Sequence, residues 1–306
     1  MLYGFWHGEP WSTPLGVKRE LIRRGHTVYD FNLFADDGSL RDPNAPRRYS
    51  AQGLWSLIYA IRRGAIDPDV LLHMDCGIFD DPALDKAFFG NDMVWLLEAG
   101  DTPQSSDTNG RLAKRFDITV TPDKPTAMRW REQGINAKWW THFADHHVFK
   151  PYLDERVQWE VVTTCGDRRV TAAVQAALGD QYHDGRFVWG EEYGRFLNRG
   201  NIVFQCSQYQ EVTRRVFEGM ACGKLVVTDR LPAASEIEDL FTDGEDIAYY
   251  GDGAEAIDKL RYYIAHPAER ERVARNGHRK VMEAHTVARR VDFLESEIEA
   301  WRSRST

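Results

Sequence analysis

The clearest periodicity in the chain falls between Glu211 and Asp229. Val212, Val216 and Met220 recur four residues apart on one helical face, with Phe217 and Ala221 flanking them. Gly223 follows, and glycine takes the left-handed conformation that ends a helix without steric cost. Residues 225–228 are then short, apolar and β-branched, the pattern of a parallel strand covered on both sides. The stretch predicts a helix over 211–222, a glycine stop and a buried strand. This is half of an α/β unit, and open α/β sheets bind ligands at the loops beyond the carboxyl ends of their strands.

The same alternation extends in both directions. Toward the N-terminus it predicts strands at 2–6, 27–31, 69–74, 93–97, 116–121 and 137–140. Helices fall between them at about 15–24, around Leu54, Leu57, Ile58 and Ile61, and at 126–133. Residues 36–48 are rich in Asp, Pro and Arg and read as a surface excursion. The polar segment 141–152, which carries Pro151, reads as a crossing into a second domain. Beyond it, strands at 161–164, 186–189, 202–205 and 246–250 alternate with helices at 171–178 and 192–198. After Asp252 the pattern turns helical, with one stripe through Ile257, Leu260, Tyr263 and Ile264. Pro267 opens a charged helix to about 284, at a position where its missing N–H costs nothing, and a last helix follows over 286–302. The expected architecture is α/β: two Rossmann-like domains at 1–150 and 151–285 with a cleft between them, and a closing helix at 286–306.

Composition narrows the function classes. With 306 residues, 42% hydrophobic and 12% aromatic, the chain holds enough apolar material for two packed cores. A net charge of −8 argues against a broad surface for nucleic acid or anionic membrane. A basic groove would need Arg41, Arg47, Arg48, Arg62 and Arg63 to cluster. No apolar run approaches the roughly 18–20 residues of a membrane span, and the start lacks the basic opening of a signal peptide, so a cytoplasmic protein is expected. Cys76, Cys165, Cys206 and Cys222 form no Cys-x-x-Cys pair, and the last three end apolar segments, so buried free thiols are expected. His142, His146 and His147 lie in the crossing without a zincin pattern and are assigned structural roles, with no metal. The loop after the first strand lacks Gly-x-Gly-x-x-Gly, so a dinucleotide fingerprint is absent.

The central stretch is also specific in its letters. Residues 215–227, from Arg215-Val216-Phe217-Glu218 through Ala221-Cys222-Gly223, resemble the Glu-x-x-Ala-x-Gly-x-Pro-Val-Val signature of group 1 glycosyltransferases. They are closer still to the Arg-x-Phe-Glu-x-x-Ala-Cys-Gly form of the CgeB-like (spore maturation protein) branch. The likeness extends to Asp229-Arg230-Leu231-Pro232, Tyr249-Tyr250-Gly251-Asp252 and Phe149-Lys150-Pro151, and covers residues 93–295, while the first ninety residues match in architecture only. The resemblance implies a GT-B fold: two facing Rossmann-like domains, the second holding a nucleotide-diphosphate sugar and the first an acceptor, with no metal and no separate cofactor. It also implies that the last helix crosses back to the first domain.

Physical reasons can be set beside each implied site residue. A carboxylate accepts two hydrogen bonds from a vicinal diol, and Glu218 matches the family's ribose-binding glutamate. The same spacing also admits an ion pair to Arg214 or Arg215. A departing diphosphate needs cationic groups and backbone N–H donors, which Gly166, Arg168 and Arg169 supply between a strand and a helix start, with Arg215 or Lys224 in support. Ser207 falls where the family's loop serine falls. The family's second glutamate, eight residues before the ribose glutamate, is Gln210 here, with Glu211 beside it. Trp189 and Gly190 match the region that frames the base. In the first domain Asp101 and His7 lie past strand ends and are the first candidates for a base that deprotonates an acceptor hydroxyl. The expected activity is transfer of a sugar from a nucleotide-diphosphate donor to a hydroxyl of a polysaccharide, protein or small molecule. A nucleotide-sugar epimerase or hydrolase of the same fold, and a non-catalytic sugar-binding module, are the alternatives.

Overall fold

The computed structural model describes residues 2–5, 13–30, 51–75, 85–90, 92–100, 102, 105–165, 168–185, 188–235 and 237–305. The chain divides into two compact units, one of residues 1–141 and 288–306 and one of residues 142–287.

The first unit holds β1 (Leu2–Phe5), α1 (Thr13–Arg23), β2 (Tyr29–Asp30), α2 (Ala51–Arg62), β3 (Val70–Asp75), α3 (Lys86–Phe89), β4 (Val94–Ala99), α4 (Ser106–Ala113), β5 (Ile118–Thr121), α5 (Lys124–Glu132) and β6 (Ala137–Trp139). The strands form one sheet in the order β2-β1-β3-β4-β5-β6, and every pairing is parallel. Its β4 is buried at all six positions, which is why 93–97 reads as a run without alternation. The short α4 carries the polar sequence Ser-Asp-Thr-Asn-Gly-Arg-Leu-Ala, so no apolar stripe announces it.

The second unit contains β7 (Trp159–Thr163), α6 (Arg168–Leu178), β8 (Tyr182–Asp184), α7 (Gly190–Asn198), β9 (Gly200–Phe204), α8 (Arg214–Ala221), β10 (Leu225–Asp229), α9 (Ile237–Leu240), β11 (Ala248–Tyr250), α10 (Gly253–Ala265) and α11 (Pro267–Ala284). Its parallel sheet runs β11-β10-β9-β7-β8. Alternate strand residues face opposite layers. Val162, Val203, Val226 and Tyr249 pack with α7, α8 and α11, while Val161, Ile202, Leu225, Val227 and Ala248 pack with α6 and α10.

Two expected elements move. The strand expected at 186–189 lies at Tyr182–Asp184. As the outermost strand, β8 has a neighbour on one side only, so Tyr-His-Asp suffices there and the apolar signal of a buried strand is missing. The helix expected from 211 begins at Arg214, because Gln210 has φ +55° and Thr213, at φ −99° and ψ 150°, is the extended cap residue. Its end is as the glycine signal requires. Gly223, at φ +72°, donates to the Met220 carbonyl at 2.9 Å while the Lys224 N–H reaches Gly219 at 3.2 Å, the paired bonds of a Schellman motif.

The closing helix α12 (Val287–Ser305) belongs to the first unit from Ala288 onward. Arg24, just after α1, pairs with Asp292 at 2.8 Å and Glu295 at 2.6 Å and donates to the Ala288 carbonyl at 2.7 Å. His26 reaches the other Glu295 oxygen at 2.7 Å, and Trp140 Nε1 donates to the Arg290 carbonyl at 3.3 Å. Among the described residues no helix is long and apolar enough to cross a membrane.

Candidate nucleotide site

In the second unit β8 and β9 lie on opposite sides of β7. The chain therefore reverses its direction of travel across the sheet between β7 and β9, and in open α/β sheets the ligand crevice opens beyond the carboxyl ends of the strands at that switch point. Three segments border it: the start of α6, the loop 205–213 and the start of α8.

Both helix starts favour an anion. The first turn of α6 holds Arg168 and Arg169 and that of α8 holds Arg214 and Arg215, with no acidic residue in either turn. Free N–H groups and the positive end of the helix dipole add to those side chains. Arg169 and Arg215 are exposed. Gly166 and Asp167, which precede α6, lie outside the described residues.

Glu218 sits one turn into α8 and is buried. Arg214 Nε contacts its Oε1 at 2.8 Å, the i,i+4 pair that the sequence admits, but with the carboxylate side chain only 2% exposed this is no surface pair. The depth follows from packing. A Cβ at Gly219 would lie 2.9 Å from Val226 Cγ2 and 3.2 Å from Val203, so only glycine lets α8 press this closely onto β9 and β10 and carry Glu218 down with it. Beside it, the Tyr193 hydroxyl of α7 meets Thr164 Oγ1 at 3.1 Å, at the end of β7. Burial, reinforced by the Glu218 carboxylate, pushes the Tyr193 phenol well above its ordinary range, so it stays neutral.

The loop 205–213 is held at both ends. Asp229, the last residue of β10, accepts the Ser207 N–H at 2.9 Å and also the Ser207 hydroxyl. Gln205 Nε2 donates to the Cys206 carbonyl at 2.9 Å and to Thr213 Oγ1 at 3.0 Å, which ties the loop to the cap of α8. Between these anchors Gln210 is exposed in the left-handed region, unusual for a side chain of this size, and Glu211 is half-buried. Gln205 carries no motif signal, and Asp229 belongs to the Asp229-Arg230-Leu231-Pro232 likeness without an expected role. Their roles appear only when β9, β10 and α8 are brought together.

Trp189 is half exposed and caps α7, and Gly190 behind it needs glycine for its φ of +57°. They follow the edge strand β8, beside β7. Lys224 is not part of the crevice. It follows α8 at the amino end of β10, opposite Asp229, where Nζ donates to the Asn198 carbonyl at 3.0 Å and burial lowers its pKa. His7 and Asp101, the candidate bases of the first unit, lie outside the described residues.

Two cysteines correct the expectation of buried free thiols, which holds for Cys222, while Cys76 lies outside the described residues. Cys165 and Cys206 form a disulfide with Cα atoms 5.8 Å apart. Parallel register sets Thr163 opposite Phe204, so two residues further on the cysteines face one another, a proximity invisible at a separation of 41 residues. Cys222 is free and buried, and burial pushes its thiol up. Asp145, His146 and His147 have ligand atoms within 4.8 Å of one another, at a turn where Asp145 Oδ1 also accepts the His147 N–H at 3.1 Å.

Solved structures share this fold over nearly the whole chain. A sucrose-phosphate synthase from Thermosynechococcus elongatus aligns with a TM-score of 0.70 at 13% identity, covering 98% of this chain and 99% of that one. A glycosyltransferase from Rickettsia africae gives 0.69 at 9%, covering 98% of each. Anabaena HepE, solved in complex with UDP-glucose, gives 0.66 at 13%, covering 98% and 100%. The fold is thus GT-B. None of the curated proteins compared with the chain matches it. The sequence profile described as glycosyl transferase-like matches residues 128–296, more than half the chain and all the elements that border the crevice. The chain belongs to that glycosyl transferase-like family.

Proposed function

We propose that the protein transfers a sugar from a nucleotide-diphosphate donor to an acceptor hydroxyl, without a metal, in the cytoplasm, and that the donor binds at the β7/β9 switch point. The observation that carries this reading is the buried Glu218 carboxylate beside two arginine-bearing helix N-termini. A nucleotide-diphosphate sugar presents the complementary pair, a ribose diol and a dianionic diphosphate.

In this reading Glu218 accepts from the ribose hydroxyls, Arg169 and Arg215 with the N–H groups of α6 and α8 hold the diphosphate, and Trp189 stacks on the base. As the glycosidic bond breaks, negative charge grows on the diphosphate, and donors already aimed at it stabilise that charge without reorganising. Tyr193, kept neutral, adds no competing anion to the crevice. HepE, solved with UDP and with UDP-glucose, makes a uridine donor the first to test. The Arg-x-Phe-Glu-x-x-Ala-Cys-Gly form of α8 supports placement in the CgeB-like branch. The test is titration of the purified protein with UDP, GDP, ADP and TDP, followed by mass spectrometry of the matching nucleotide sugar with and without candidate acceptors. Binding of one diphosphate at micromolar concentration, with acceptor-dependent turnover, is expected. Failure to bind any of the four refutes the donor site, and release of free sugar without an acceptor makes the protein a hydrolase.

A further inference from the structure

We infer that Cys165 and Cys206 form a thiol–disulfide switch that sets the geometry, and hence the nucleotide affinity, of the crevice at the β7/β9 switch point. The pair is placed for this. Cys165 is the second residue after β7 and Cys206 the second after β9, so the bond joins the two backbone segments that leave the sheet at the switch point, one toward α6 and one toward α8. The inference rests on the donor site proposed above for its ligand, and on the fold alone for its mechanics.

Reduction replaces a bond by a non-bonded contact, for which two heavy atoms need about 3.5–4 Å. The residues are 1% and 6% exposed, so the sulfurs have little free space into which to separate. The strands below are fixed by their ladder, and the added distance falls on the loops. Cys206 passes it on directly. Its carbonyl and Thr213 Oγ1 share the Gln205 amide, and Thr213 caps α8, so a shift at Cys206 reaches the turn that holds Arg214 and Arg215. On the other side, the Cys165 N–H donates to Thr163 Oγ1 at 3.0 Å, which ties Cys165 to the end of β7 and puts the displacement on Cys206. A displacement that breaks one hydrogen bond to the charged diphosphate weakens its complex by about tenfold or more.

The redox step balances with a small disulfide as oxidant. One protein thiolate attacks RSSR and expels RS−, the second attacks the mixed disulfide and expels the other RS−, and both take up the protons that the cysteines lost. Two electrons pass from the protein to the reagent. In a reducing compartment such a pair cycles rather than standing permanently oxidised. Because both sulfurs are buried, attack requires local opening of the loops, which a bound nucleotide opposes. Tighter nucleotide binding by the disulfide form means, by linkage, that the nucleotide in turn shifts the thiol–disulfide equilibrium toward the disulfide.

The experiment uses the full chain in two states, oxidised with excess glutathione disulfide and reduced with a phosphine, each verified by peptide mapping. UDP affinity by calorimetry, hydrogen exchange over 205–215 and the rate of disulfide reduction by dithiothreitol with and without UDP are then compared. The oxidised form is expected to bind UDP at least about tenfold more tightly, to exchange more slowly over 205–215, and to be reduced more slowly when UDP is present. The Cys165→Ser/Cys206→Ser protein is expected to bind like the reduced form whatever reagent is added; the wild-type comparison stands even if that variant does not fold. Equal affinity and equal exchange in the two states overturn the inference, as does a pair that stays reduced in excess oxidant. Redox-dependent exchange in a protein that binds no nucleotide supports the switch and refutes the donor reading.

Discussion

Replacing Glu218 by Gln tests the ribose assignment most directly. The substitution keeps shape and volume in a site where the side chain is 2% exposed, so packing by α8 is preserved. It removes a charged acceptor. Hydrogen bonds to charged groups contribute about 1.5–3 kcal/mol each. The amide retains one acceptor oxygen, so the net loss is about one such bond, a 10- to 100-fold weaker UDP complex. Arg214 keeps an acceptor in the amide oxygen but loses the ionic part of the pair, and at 33% exposure water solvates its charge, so the fold loses only about 1–2 kcal/mol. Unfolding in denaturant measures that cost separately. The decisive arm is on the ligand. Wild-type protein is expected to prefer UDP to its 2′-deoxy analogue, and Glu218→Ala to bind the two alike, giving a coupling of about 1–2 kcal/mol in a cycle by calorimetry. An unchanged preference in the variant refutes contact between Glu218 and the ribose, whatever happens to overall affinity.

Three further outcomes are expected. Gly219→Ala gains about 1 kcal/mol of helix propensity but places a methyl 2.9 Å from Val226 Cγ2; overpacking of about 1–3 kcal/mol should prevail, and a higher denaturation midpoint with unchanged UDP affinity would refute the close contact. Asp229→Ala and Ser207→Ala should each weaken UDP binding through the loop they clamp, non-additively by about 1 kcal/mol, with Asp229→Asn recovering part of the loss; additive effects would dissolve the clamp. Arg23, with Arg24, lowers the Glu20 carboxyl from 4.5 to about 2. With the folded value below the unfolded one, this contribution, at most about 3 kcal/mol, is fully present above pH 4.5 and disappears as pH falls toward 2. Glu20→Gln should flatten that part of the stability profile, and an unaltered acid limb would remove Glu20 from the account.

Local signals in the chain determined most of the second unit. The four-residue recurrence of Val212, Val216 and Met220, the stop at Gly223 and the β-branched run after it specify α8 and β10 because burial on one helix face, a left-handed cap and a doubly covered strand each leave a mark on nearby residues. The motif around Glu218 is contiguous, so the expectation of a diol acceptor there came from resemblance. The start of α8 was not, because Gln210 adopts a backbone conformation that its residue type does not advertise. Nor was β8, whose place at the sheet edge relieves it of the apolar pattern that buried strands need.

Tertiary structure alone decided what is far apart in sequence. The Cys165–Cys206 bond depends on parallel register between β7 and β9, the Ser207–Asp229 clamp on the adjacency of β9 and β10, and the depth of Glu218 on how closely Gly219 lets α8 approach both strands. The attachment of α12 to the first unit depends on Arg24, His26 and Trp140, all more than a hundred residues away. Such contacts are fixed by strand order and packing distance, which arise when the whole sheet assembles and leave no periodic trace along the chain.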